Sequence, residues 1–596
     1  MTINEKIAAL RTKMKENRLD AYIIPSSDPH QSEYVAPHWK GREWISGFTG
    51  SAGLVIITAD HAGLWTDSRY FLQAEKQLAN SEMILHKQMV AHAPEHLQWL
   101  MDQVPPKGRL GCNGRLFSER QIQYLSNRLG EKDIRIDYHH QLINEIWKDR
   151  PALPLAPIFE HDVAYAGKSR MDKLAMIRVE MEKLHATHYV VSTLDDICWV
   201  LNIRGNDVEY NPVCICYLVI GLKEAHLFID PKKVPAEVKN RLATDGVSLQ
   251  PYLAIDFFLE ALPEDTAVLI DKQSLNVNLY DAIPASQVIA GKNLIRPIKA
   301  IKNETEIKHI RNAMIKDGRA LTKLYRWLEQ TLSSRSVPEV EVAERLAAFR
   351  SEEADYFGES FAAIVGYNAN GAIVHYRAEA DSCAAIKPEG ILLLDSGGQY
   401  LDGTTDITRT IALGTPTIEQ KRHYTLVLKG HIALAAMRFP NTTMGAQLDA
   451  FARMYLWQDA LNYGHGTGHG VGFFLNVHEP PQGFAASAVT SRGSTILQPG
   501  MLTSNEPGFY KSGAYGIRTE NLVLCVADEE NDYGEFLKFE TLTLFPIDKS
   551  LIDIDLLSAG ELEWLDRYHQ QVCEVLSPVL DEESRQWIKE KCRPLG

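Results

Sequence analysis

Cysteine is scarce in this sequence, and no two cysteines have the CxxC spacing of a redox or zinc motif. The eight cysteines stand at positions 112, 198, 214, 216, 383, 525, 573 and 592. Their scatter excludes a disulfide-stapled scaffold and indicates a reduced, cytoplasmic protein. The one close pair, Cys214 and Cys216 in VCICYLV, predicts ordinary packing on a strand, with metal or redox chemistry as the alternative.

Long hydrophobic runs and an excess of positive charge are also missing. The longest apolar stretches, such as ICYLVIGL and ILLLD, are far shorter than the roughly 20 residues that cross a bilayer, so they predict core strands and no membrane partner. The opening stretch MTINEKIAALRTKMKENRLD predicts an amphipathic helix instead of a secretory signal. With 62 Lys and Arg against 77 Asp and Glu, the formal charge of -15 argues against nucleic acid as a partner.

The length of the chain predicts more than one domain. Its 596 residues exceed what one hydrophobic core supports, and 45% hydrophobic with 23% charged residues is typical of globular proteins. The proline-rich segment from Pro151 to Pro157 predicts an extended linker. Asn303 and Glu306 form an Asn-x-x-Glu signal for the start of a long helix. We therefore predict domains at 1–155, 156–302 and 303–596, the last with a helical tail from Leu556 onward.

The first two predicted domains share one order of elements. In the first, a helix ending near Arg18 leads to the strand AYIIPSSD and then to the strands of VIITADHAGLWTD. In the second, a helix from Ser169 leads to HYVVSTLDD and then to YLVIGLKEAHLFID. Each copy continues to a similar turn, in GCNGRLFSERQIQYL and LIDKQSLNVNLYDAI. This order predicts two tandem α/β domains, and the two helices and short strands after Asn303 predict a mixed α+β domain.

Two carboxylates flank a turn in the third domain. Asp395 ends the apolar strand ILLLD, and Asp406 follows eleven residues later, beyond the turn SGGQYLDG. A hairpin can close over that spacing and bring the two carboxylates face to face. A charged Asp at the end of a buried strand needs a cation, an Arg or several hydrogen-bond donors. Turn formation, which Asp also favours, is the alternative, and the pair alone does not decide between them.

A cluster of histidines among glycines is the second signal. His465, His469 and His478 lie in HGTGHGVGFFLNVHE, where glycines let the backbone approach a ligand closely. One such His is more often a core residue, whereas three together indicate metal binding or catalysis. Glu506 in NEPG and Glu520 in RTEN add two carboxylates, each of which alone would indicate no more than a solvated charge.

Taken together, the four carboxylates carry a charge of -4, while one neutral imidazole adds none. Two divalent cations would balance this charge, which favours a binuclear centre. Oxygen-rich ligation with a single imidazole and no thiolate suits Mn²⁺, with Co²⁺ or Zn²⁺ also feasible. Two ions about 3.5–4 Å apart can share a bridging hydroxide and polarise a carbonyl group. The implied chemistry is the hydrolysis of an amide.

These motifs resemble those of the pita-bread metallopeptidases, which include methionine aminopeptidase, prolidase and Xaa-Pro aminopeptidase. DGTTDIT, HGTGHGVG, NEPGFY and GIRTEN, preceded by NGAIVHY, are most similar to the long three-domain cytosolic Xaa-Pro aminopeptidases, as are SDPHQSEYVAP and SGFTGSAG nearer the start. The resemblance covers nearly the whole chain. It implies two creatinase-like N-terminal α/β domains, a pita-bread catalytic domain, and removal of an N-terminal residue that precedes proline.

The resemblance also implies a ligand set for the two metal ions. Asp395 would bind one ion, Asp406 and Glu520 would bridge both, and His469 with Glu506 would hold the second. Glu506 would in addition move the proton of the attacking water. All five ligands of the family pattern are present in this sequence.

Four further residues match family positions near the substrate. His375, in GAIVHY, and His465 match histidines that contact the substrate and stabilise the tetrahedral intermediate, and His478 matches the one lining the proline side. Arg518 would orient Glu520 or a neighbouring carboxylate. A pocket walled by histidines and apolar residues suits the X-Pro bond, a tertiary amide whose ring has a fixed shape.

Two other functions stay open from the sequence. A prolidase would need a closed proline side to bind the dipeptide carboxylate, and the tandem N-terminal domains argue against it. A pita-bread protein that serves only as a binding module is the other, and the complete ligand set argues against that. The resemblance further implies peptides with a penultimate proline as substrates and a homodimeric assembly.

Overall fold

The computed structural model describes residues 1–67, 69–89 and 95–595. The chain forms two compact units, one made of Met1–Glu160 with Lys168–Ile295 and the other of His161–Gly167 with Arg296–Gly596. The predicted first domain lies in the first unit and the predicted third domain lies in the second. The predicted second domain lies mainly in the first unit but contributes residues 161–167 and 296–302 to the second. The boundaries between the three domains stay predictions.

The first α/β domain begins with the predicted amphipathic helix, which buries Ile7, Leu10 and Met14 and starts with a capping box of Thr2 and Glu5. Its helices are α1 (Ile3–Glu16), α2 (Gly41–Ser46), α3 (Phe71–Gln77), α4 (Glu95–Gln103), α5 (Glu119–Leu129) and α6 (Leu142–Ile146). Its strands are β1 (Ala21–Pro25), β2 (Leu54–Thr58), β3 (Ala62–Asp67), β4 (Ile84–Gln88), β5 (Arg109–Gly111) and β6 (Arg135–Asp137). The strands form one sheet in the order β4-β3-β2-β1-β5-β6.

The second α/β domain repeats this plan. Its strands are β7 (Phe159–Glu160), β8 (His188–Val191), β9 (Ile203–Arg204), β10 (Tyr217–Gly221), β11 (Ala225–Phe228), β12 (Val247–Gln250), β13 (Val268–Ile270) and β14 (Val288–Ala290). Between β7 and β8 lie α7 (Val163–Ala166), which belongs to the second unit, and α8 (Arg170–Lys183). The remaining helices are α9 (Leu194–Leu201), α10 (Ala236–Thr244), α11 (Ile255–Glu260) and α12 (Val277–Asp281).

The sheet of the second domain has the order β12-β11-β10-β8-β13-β14. Its central strand β8 pairs antiparallel with β10 and parallel with β13, just as β1 pairs antiparallel with β2 and parallel with β5. The predicted tandem α/β repeat is therefore confirmed. Corresponding segments of the two domains also touch, because the Glu119 amide donates to the Leu275 carbonyl at 2.9 Å and the Val277 amide donates to the Phe117 carbonyl at 3.0 Å.

Two details of the second domain differ from the sequence prediction. The strand predicted over HYVVSTLDD ends at Val191. The acidic residues at the end of this segment already belong to helix α9. The pair Cys214 and Cys216 lies before strand β10, not on it, and the two sulfurs are 3.8 Å apart. The Cys198 sulfur, from α9, lies 3.7 Å from that of Cys214, so these buried free thiols pack as a group of three.

The predicted long helix lies in the second unit, where Asn303 and Glu306 form the expected capping box. Besides α7, its helices are α13 (Ile295–Ala300), α14 (Glu304–Leu332), α15 (Glu339–Ser351), α16 (Ile418–Ala435), α17 (Gly445–Gln458), α18 (Ser491–Ser494), α19 (Ala559–Leu576) and α20 (Glu582–Lys591). Its first strands are β15 (Val337–Pro338), β16 (Tyr356–Glu359), β17 (Ile364–Tyr367), β18 (Ala385–Ile386), β19 (Ile391–Ser396), β20 (Gly398–Tyr400), β21 (Gly403–Thr404) and β22 (Ile407–Ala412). The later strands are β23 (Arg438–Pro440), β24 (Gly468–Gly470), β25 (Glu479–Phe484), β26 (Leu502–Asn505), β27 (Gly508–Lys511), β28 (Tyr515–Arg518), β29 (Asn521–Asn531) and β30 (Gly534–Thr541).

Two sheets of the second unit carry the candidate site. One has the order β17-β19-β22 and the other the order β23-β30-β29-β26-β24-β25. The predicted tail consists of α19 and α20, and α19 buries Leu565, Tyr568, Val572 and Leu576 in the core of this unit. The tail is therefore an integral part of the packing. Among the described residues, no helix has both the length and the apolar composition needed to cross a bilayer.

Candidate metal centre

Two neighbouring strands bring the first pair of predicted ligands together. Asp395 lies on β19, and Asp406 directly precedes β22. The two strands are antiparallel, with Asp395 opposite Thr408, so the predicted hairpin closure is confirmed. Both carboxylates are buried.

The other three predicted ligands come from adjacent strands of the larger sheet. His469 lies on β24, Glu506 follows β26, and Glu520 precedes β29. Glycine at position 468 is required for this arrangement, because a Cβ there would lie 1.9 Å from the Ser504 carbonyl oxygen. The glycine thus allows two strands to approach each other, and the close approach of this glycine-rich segment to a ligand stays a prediction.

The donor atoms converge on one small volume. One atom each from Asp406, His469 and Glu520 lies within 4.8 Å of the others, the sole group of this kind within the described part of the chain. The His469 Nε2 atom is 3.4 Å from Asp406 Oδ2 and 3.5 Å from Glu506 Oε1. Two ligands that each lie about 2.1 Å from one ion are roughly 3–3.5 Å apart, so these spacings suit a shared cation.

His469 is held in the tautomer that metal binding requires. Its Nδ1 atom lies 2.9 Å from the Gly470 carbonyl oxygen, which can only accept a hydrogen bond. The proton therefore resides on Nδ1, and the lone pair of Nε2 points toward the carboxylates. A backbone carbonyl in this role is the usual outer support of a histidine ligand.

Arg518 donates hydrogen bonds to Asp395, a carboxylate that neighbours Glu520 in the cluster. Its Nε donates to Asp395 Oδ2 at 3.1 Å, and its Nη2 donates to the same oxygen at 2.5 Å. The other oxygen, Asp395 Oδ1, is buried and has no hydrogen-bond partner among the described residues. Arg518 thus orients this carboxylate and leaves one of its oxygens available to a cation.

Glu520 and Glu506 are held in a similar way. The Thr408 hydroxyl donates to Glu520 Oε2 at 2.7 Å, while Glu520 Oε1 is buried without a partner in the described part of the structure. The Ser504 hydroxyl donates to Glu506 Oε1 at 3.1 Å. Buried carboxylate oxygens without donors are destabilising unless a cation meets them. We call Asp395, Asp406, Glu506 and Glu520 the carboxylate cluster.

Burial and mutual repulsion also change the ionisation of the carboxylate cluster. Burial first, and then the charges of Glu520 and Asp395, raise the pKa of Asp406 well above its usual range. Burial and repulsion from Glu506 do the same to the pKa of Glu520. Burial is also the main reason why the pKa of Glu506 rises to about 7. Divalent cations would remove this penalty, so the donor set fits the metal ions that the charge count implies.

The predicted substrate histidine His465 lies beside this cluster. Its Nδ1 faces the Gly466 carbonyl at 2.8 Å, and its Nε2 lies 2.8 Å from the Tyr510 hydroxyl. Burial, followed by the nearby charge of Arg518, lowers the pKa of His465 to about 3, so the ring is neutral. Arg518 Nη1 in turn donates to the Tyr510 hydroxyl at 2.6 Å, which leaves the hydroxyl proton directed at His465.

The other two predicted histidines are also brought to the site. The ring of His478 packs edge-on against that of His469, with 4.3 Å between the ring centroids. Half-buried His375 is close enough to His465 to contribute to the lowered pKa of that ring. All nine residues predicted for the site are therefore gathered around the same volume.

Three residues that the sequence analysis did not single out belong to this arrangement: Tyr510, Thr408 and Ser504. Tyr510 stands in the quoted motif NEPGFY and Thr408 follows DGTTDI, so proximity to motif residues was the available signal. Their partners come from distant segments, which local sequence cannot reveal. Thr408 and Glu520, for example, are 112 residues apart in the chain.

Family models match nearly the whole chain. A model described as the creatinase/prolidase N-terminal domain matches residues 6–146, and a second of the same description matches 149–306. Metallopeptidase family M24 matches residues 308–527, and the C-terminal region of this peptidase matches 535–595. These matches confirm the predicted fold class of two creatinase-like domains followed by a pita-bread domain.

Full-length relatives agree with the family models. A probable Xaa-Pro aminopeptidase P from Laccaria bicolor is 43% identical over 611 residues, covering 100% of this chain and 94% of the relative. Aminopeptidase P2 from Arabidopsis thaliana is 42% identical, with 100% of this chain and 89% of the relative covered.

A solved structure matches over the entire length. The crystal structure of X-prolyl aminopeptidase from Caenorhabditis elegans, described as a cytosolic enzyme with a di-nuclear active site, has a TM-score of 0.95 at 33% identity and covers 100% of both chains. The chain therefore belongs to metallopeptidase family M24 and, within it, to the Xaa-Pro aminopeptidases that carry two N-terminal creatinase/prolidase domains.

Proposed function

We propose that this protein hydrolyses the bond between the N-terminal residue of a peptide and a penultimate proline, with two divalent metal ions held by the carboxylate cluster and His469. The observation that carries the proposal is the convergence of Asp406, His469 and Glu520 donor atoms within 4.8 Å, beside buried carboxylate oxygens without donors. Full-length similarity to Xaa-Pro aminopeptidases supports the choice of substrate.

In this proposal each ligand keeps the part that the family resemblance implies. Asp395, Asp406, His469, Glu506 and Glu520 would together hold the two ions. Mn²⁺ is the proposed metal because the donor set is rich in oxygen, with Co²⁺ or Zn²⁺ as the alternatives. Bound ions would supply an activated water molecule and polarise the scissile carbonyl group.

The side chains around the cluster would position the substrate and move its protons. Glu506 takes the proton of the attacking water, and the Ser504 hydroxyl fixes the orientation of its carboxylate. His375 stabilises the developing negative charge, and His478 lines the proline side. Because both ring nitrogens of His465 are already occupied, we propose that this residue contributes the surface of its ring as a wall of the pocket.

An Xaa-Pro dipeptidase is the alternative within the same family, and a binding module without catalysis is the alternative outside it. The full-length relatives are named as aminopeptidases, which favours the aminopeptidase over the dipeptidase. The complete ligand set disfavours a protein that only binds. We further propose that the enzyme acts on peptides in the cytoplasm, in keeping with the cytosolic description of the Caenorhabditis elegans enzyme. The homodimer that the family resemblance implies is also part of the proposal.

A substrate panel tests the proposal. The measurement compares kcat/KM for X-Pro, X-Pro-Y and X-Ala-Y peptides, with products separated by chromatography and the protein loaded with manganese. Arg-Pro-Pro and longer peptides should lose their first residue, while alanine at the second position or a blocked N-terminus should abolish most turnover. Hydrolysis of X-Pro dipeptides together with refusal of every tripeptide would establish the dipeptidase instead.

A further inference from the structure

Glu339, the first residue of helix α15, is a completely buried carboxylate whose partners all come from one segment. Its Oε1 accepts from the Tyr367 amide at 2.8 Å, and its Oε2 accepts from the Tyr376 hydroxyl and the Ala384 amide, both at 2.8 Å. The Asn370 side-chain amide lies 3.0 Å from each oxygen. One carboxylate thus ties together four points of the chain between 367 and 384.

The charge of Glu339 is stabilised by neutral donors. Among the described residues, no lysine or arginine forms an ion pair with it. A buried carboxylate without a cation is tolerated when several well-placed N–H and O–H groups surround it. Those groups surround it only while residues 367–384 stay folded over it. The folding of this segment and the burial of the Glu339 charge therefore depend on each other.

His375 lies inside this segment, directly before one of the anchored residues. Tyr376 donates its hydroxyl to Glu339, and its amide donates to the Ile373 carbonyl at 3.0 Å. The Ile373 amide donates to the Asn370 carbonyl at 3.1 Å, so the backbone on both sides of His375 is fixed to anchored residues. Movement of the anchor would displace the His375 ring.

The opposite side of the segment packs on a strand of the metal centre. Gly371 lies against Gly516 of strand β28 so closely that a Cβ at 516 would be 1.7 Å from the Gly371 carbonyl oxygen. The same strand ends at Arg518, which orients Asp395. Residues 367–384 are thus clamped between this strand and the Glu339 carboxylate.

We propose that Glu339 is a positioning residue for the reaction, which fixes the segment 367–384 and through it places His375 over the metal centre. The inference rests on the proposed function of the site, since it assigns Glu339 a part in the same reaction. Among the described residues, the hydrogen-bond partners of the Glu339 carboxylate all lie in the segment 367–384, and none of them is a predicted metal ligand. The effect of Glu339 is transmitted through Tyr376 and Asn370 to the histidine.

The first test is Glu339→Gln, which keeps the size of the side chain but turns one acceptor oxygen into an NH₂ group. Each oxygen of Glu339 faces a backbone N–H, from Tyr367 or from Ala384, so either orientation of the amide sets two donors against each other. We expect kcat to fall roughly tenfold or more, KM to change less than about threefold, and two metals per chain to remain.

Two further variants serve for comparison, one with a smaller expected effect and one as a control. Tyr376→Phe removes a single hydrogen bond next to His375 and should lower kcat by a smaller factor, about threefold to tenfold. Glu341→Gln, on the same helical turn, alters a carboxylate that pairs with Arg335 at the surface, and it should leave kcat unchanged. Thermal unfolding of each variant establishes that the protein is folded at the assay temperature. An unchanged kcat for both Glu339→Gln and Tyr376→Phe would overturn the proposal.

A double-variant cycle separates positioning of His375 from general destabilisation. In a His375→Ala background, Glu339→Gln should reduce kcat by less than about twofold, because its effect passes through the missing ring. Equal losses in both backgrounds would contradict that route.

Hydrogen exchange tests the anchoring role of Glu339 independently of the activity of the enzyme. Amides of residues 367–384 in the metal-loaded protein should exchange faster in Glu339→Gln than in the wild type or in Glu341→Gln, whatever substrate the enzyme cleaves. Unchanged exchange would refute the anchoring role even if X-Pro peptides are cut, whereas an inactive wild type with the expected exchange would refute only the proposed function.

Discussion

Two groups of buried charges lie in the second unit and differ in how their charge is balanced. The first, which we call the arginine cluster, consists of Asp317, Arg350, Glu359 and Tyr400. Arg350 is completely buried and donates to Asp317 Oδ1 at 2.8 Å and to Glu359 Oε2 at 2.7 Å. Tyr400 donates its hydroxyl to the same Asp317 oxygen at 3.0 Å. The second group is the carboxylate cluster, in which Arg518 pairs with one of four acids.

The two clusters meet at opposite faces of one strand. Arg350 also donates to the Ser396 hydroxyl at 3.1 Å, and Ser396 follows Asp395 on β19, where successive side chains point to opposite faces. Burial is therefore similar on both faces, while charge balance is not. Burial of acidic residues therefore does not by itself mark a functional site. The surplus of negative charge and the oxygens without donors distinguish the metal centre.

Replacement of a bridging ligand is the strongest test of this difference. Asp406→Asn should lower kcat by about 10³-fold or more and reduce the metal content below two per chain, because the amide removes a charge that both cations need. In the metal-free protein the same change should raise the unfolding temperature, since it relieves repulsion among buried acids. Elemental analysis, kinetics and calorimetry of both forms measure these effects. Full metal content at an unchanged rate would contradict the assignment.

The matching change in the arginine cluster should lower the stability of the protein without changing its metal content. Asp317→Asn leaves Arg350 without its main partner and should lower the free energy of unfolding by roughly 3–5 kcal/mol, while the metal content stays unchanged. Asp355→Asn is the control, because Asp355 pairs with Lys316 near the surface and should matter by less than about 1 kcal/mol. Denaturant unfolding supplies both values. A stability loss in Asp406→Asn that equals the loss in Asp317→Asn would remove the distinction between the clusters.

A third test separates the metal ligands from the groups that surround them. His375→Ala should keep two metals per chain and lower kcat by about 10²–10³-fold, because the group acts on charge that develops during the reaction. The measurement pairs elemental analysis with steady-state kinetics on one X-Pro-Y peptide. Loss of metal in this variant would move His375 into the ligand set.

The smallest expected effect is on the pH dependence of stability, and it comes from His569, a buried histidine outside both clusters. His569 accepts a hydrogen bond from the Ile547 amide at 3.0 Å, and burial, together with the charge of Lys549, lowers its pKa to about 3. Because the unfolded chain takes up this proton near pH 6.5, stability is lost as the pH falls below that value, by about 2 kcal/mol at pH 5.

The variant His569→Gln retains an acceptor for the Ile547 amide but does not titrate. The difference in unfolding free energy between pH 7 and pH 5 should therefore shrink by about 2 kcal/mol relative to the wild type. Urea titrations at the two pH values provide the comparison, and equal pH dependence in wild type and His569→Gln would speak against a buried neutral imidazole.

Features encoded in a few consecutive residues could be predicted from the sequence. The capping box of Asn303 with Glu306 and the antiparallel return from Asp395 to Asp406 both depend on short-range geometry. The ligands themselves were found because their motifs resemble those of a known family.

Features that depend on tertiary packing were not predicted. The strand at His188 stops after four residues because helix α9 starts at Leu194 and is buried throughout, so apolar sequence could not separate strand from helix. Glu339 looks like an ordinary first-turn acid of a helix, and only the fold brings Ala384 to it from 45 residues away. Cys198 and Cys214 likewise meet through packing alone.

The contact between the two N-terminal domains has a consequence for symmetry. Ser118 forms a β-bridge with Asn276, and each of these residues caps the helix of its own domain, α5 or α12. Equivalent segments of the two domains therefore contact each other, as they do across an isologous interface in a twofold dimer. The duplicated chain carries within itself a contact that a single copy could form only with a second molecule. Here the covalent linkage between the repeats makes that pairing independent of concentration.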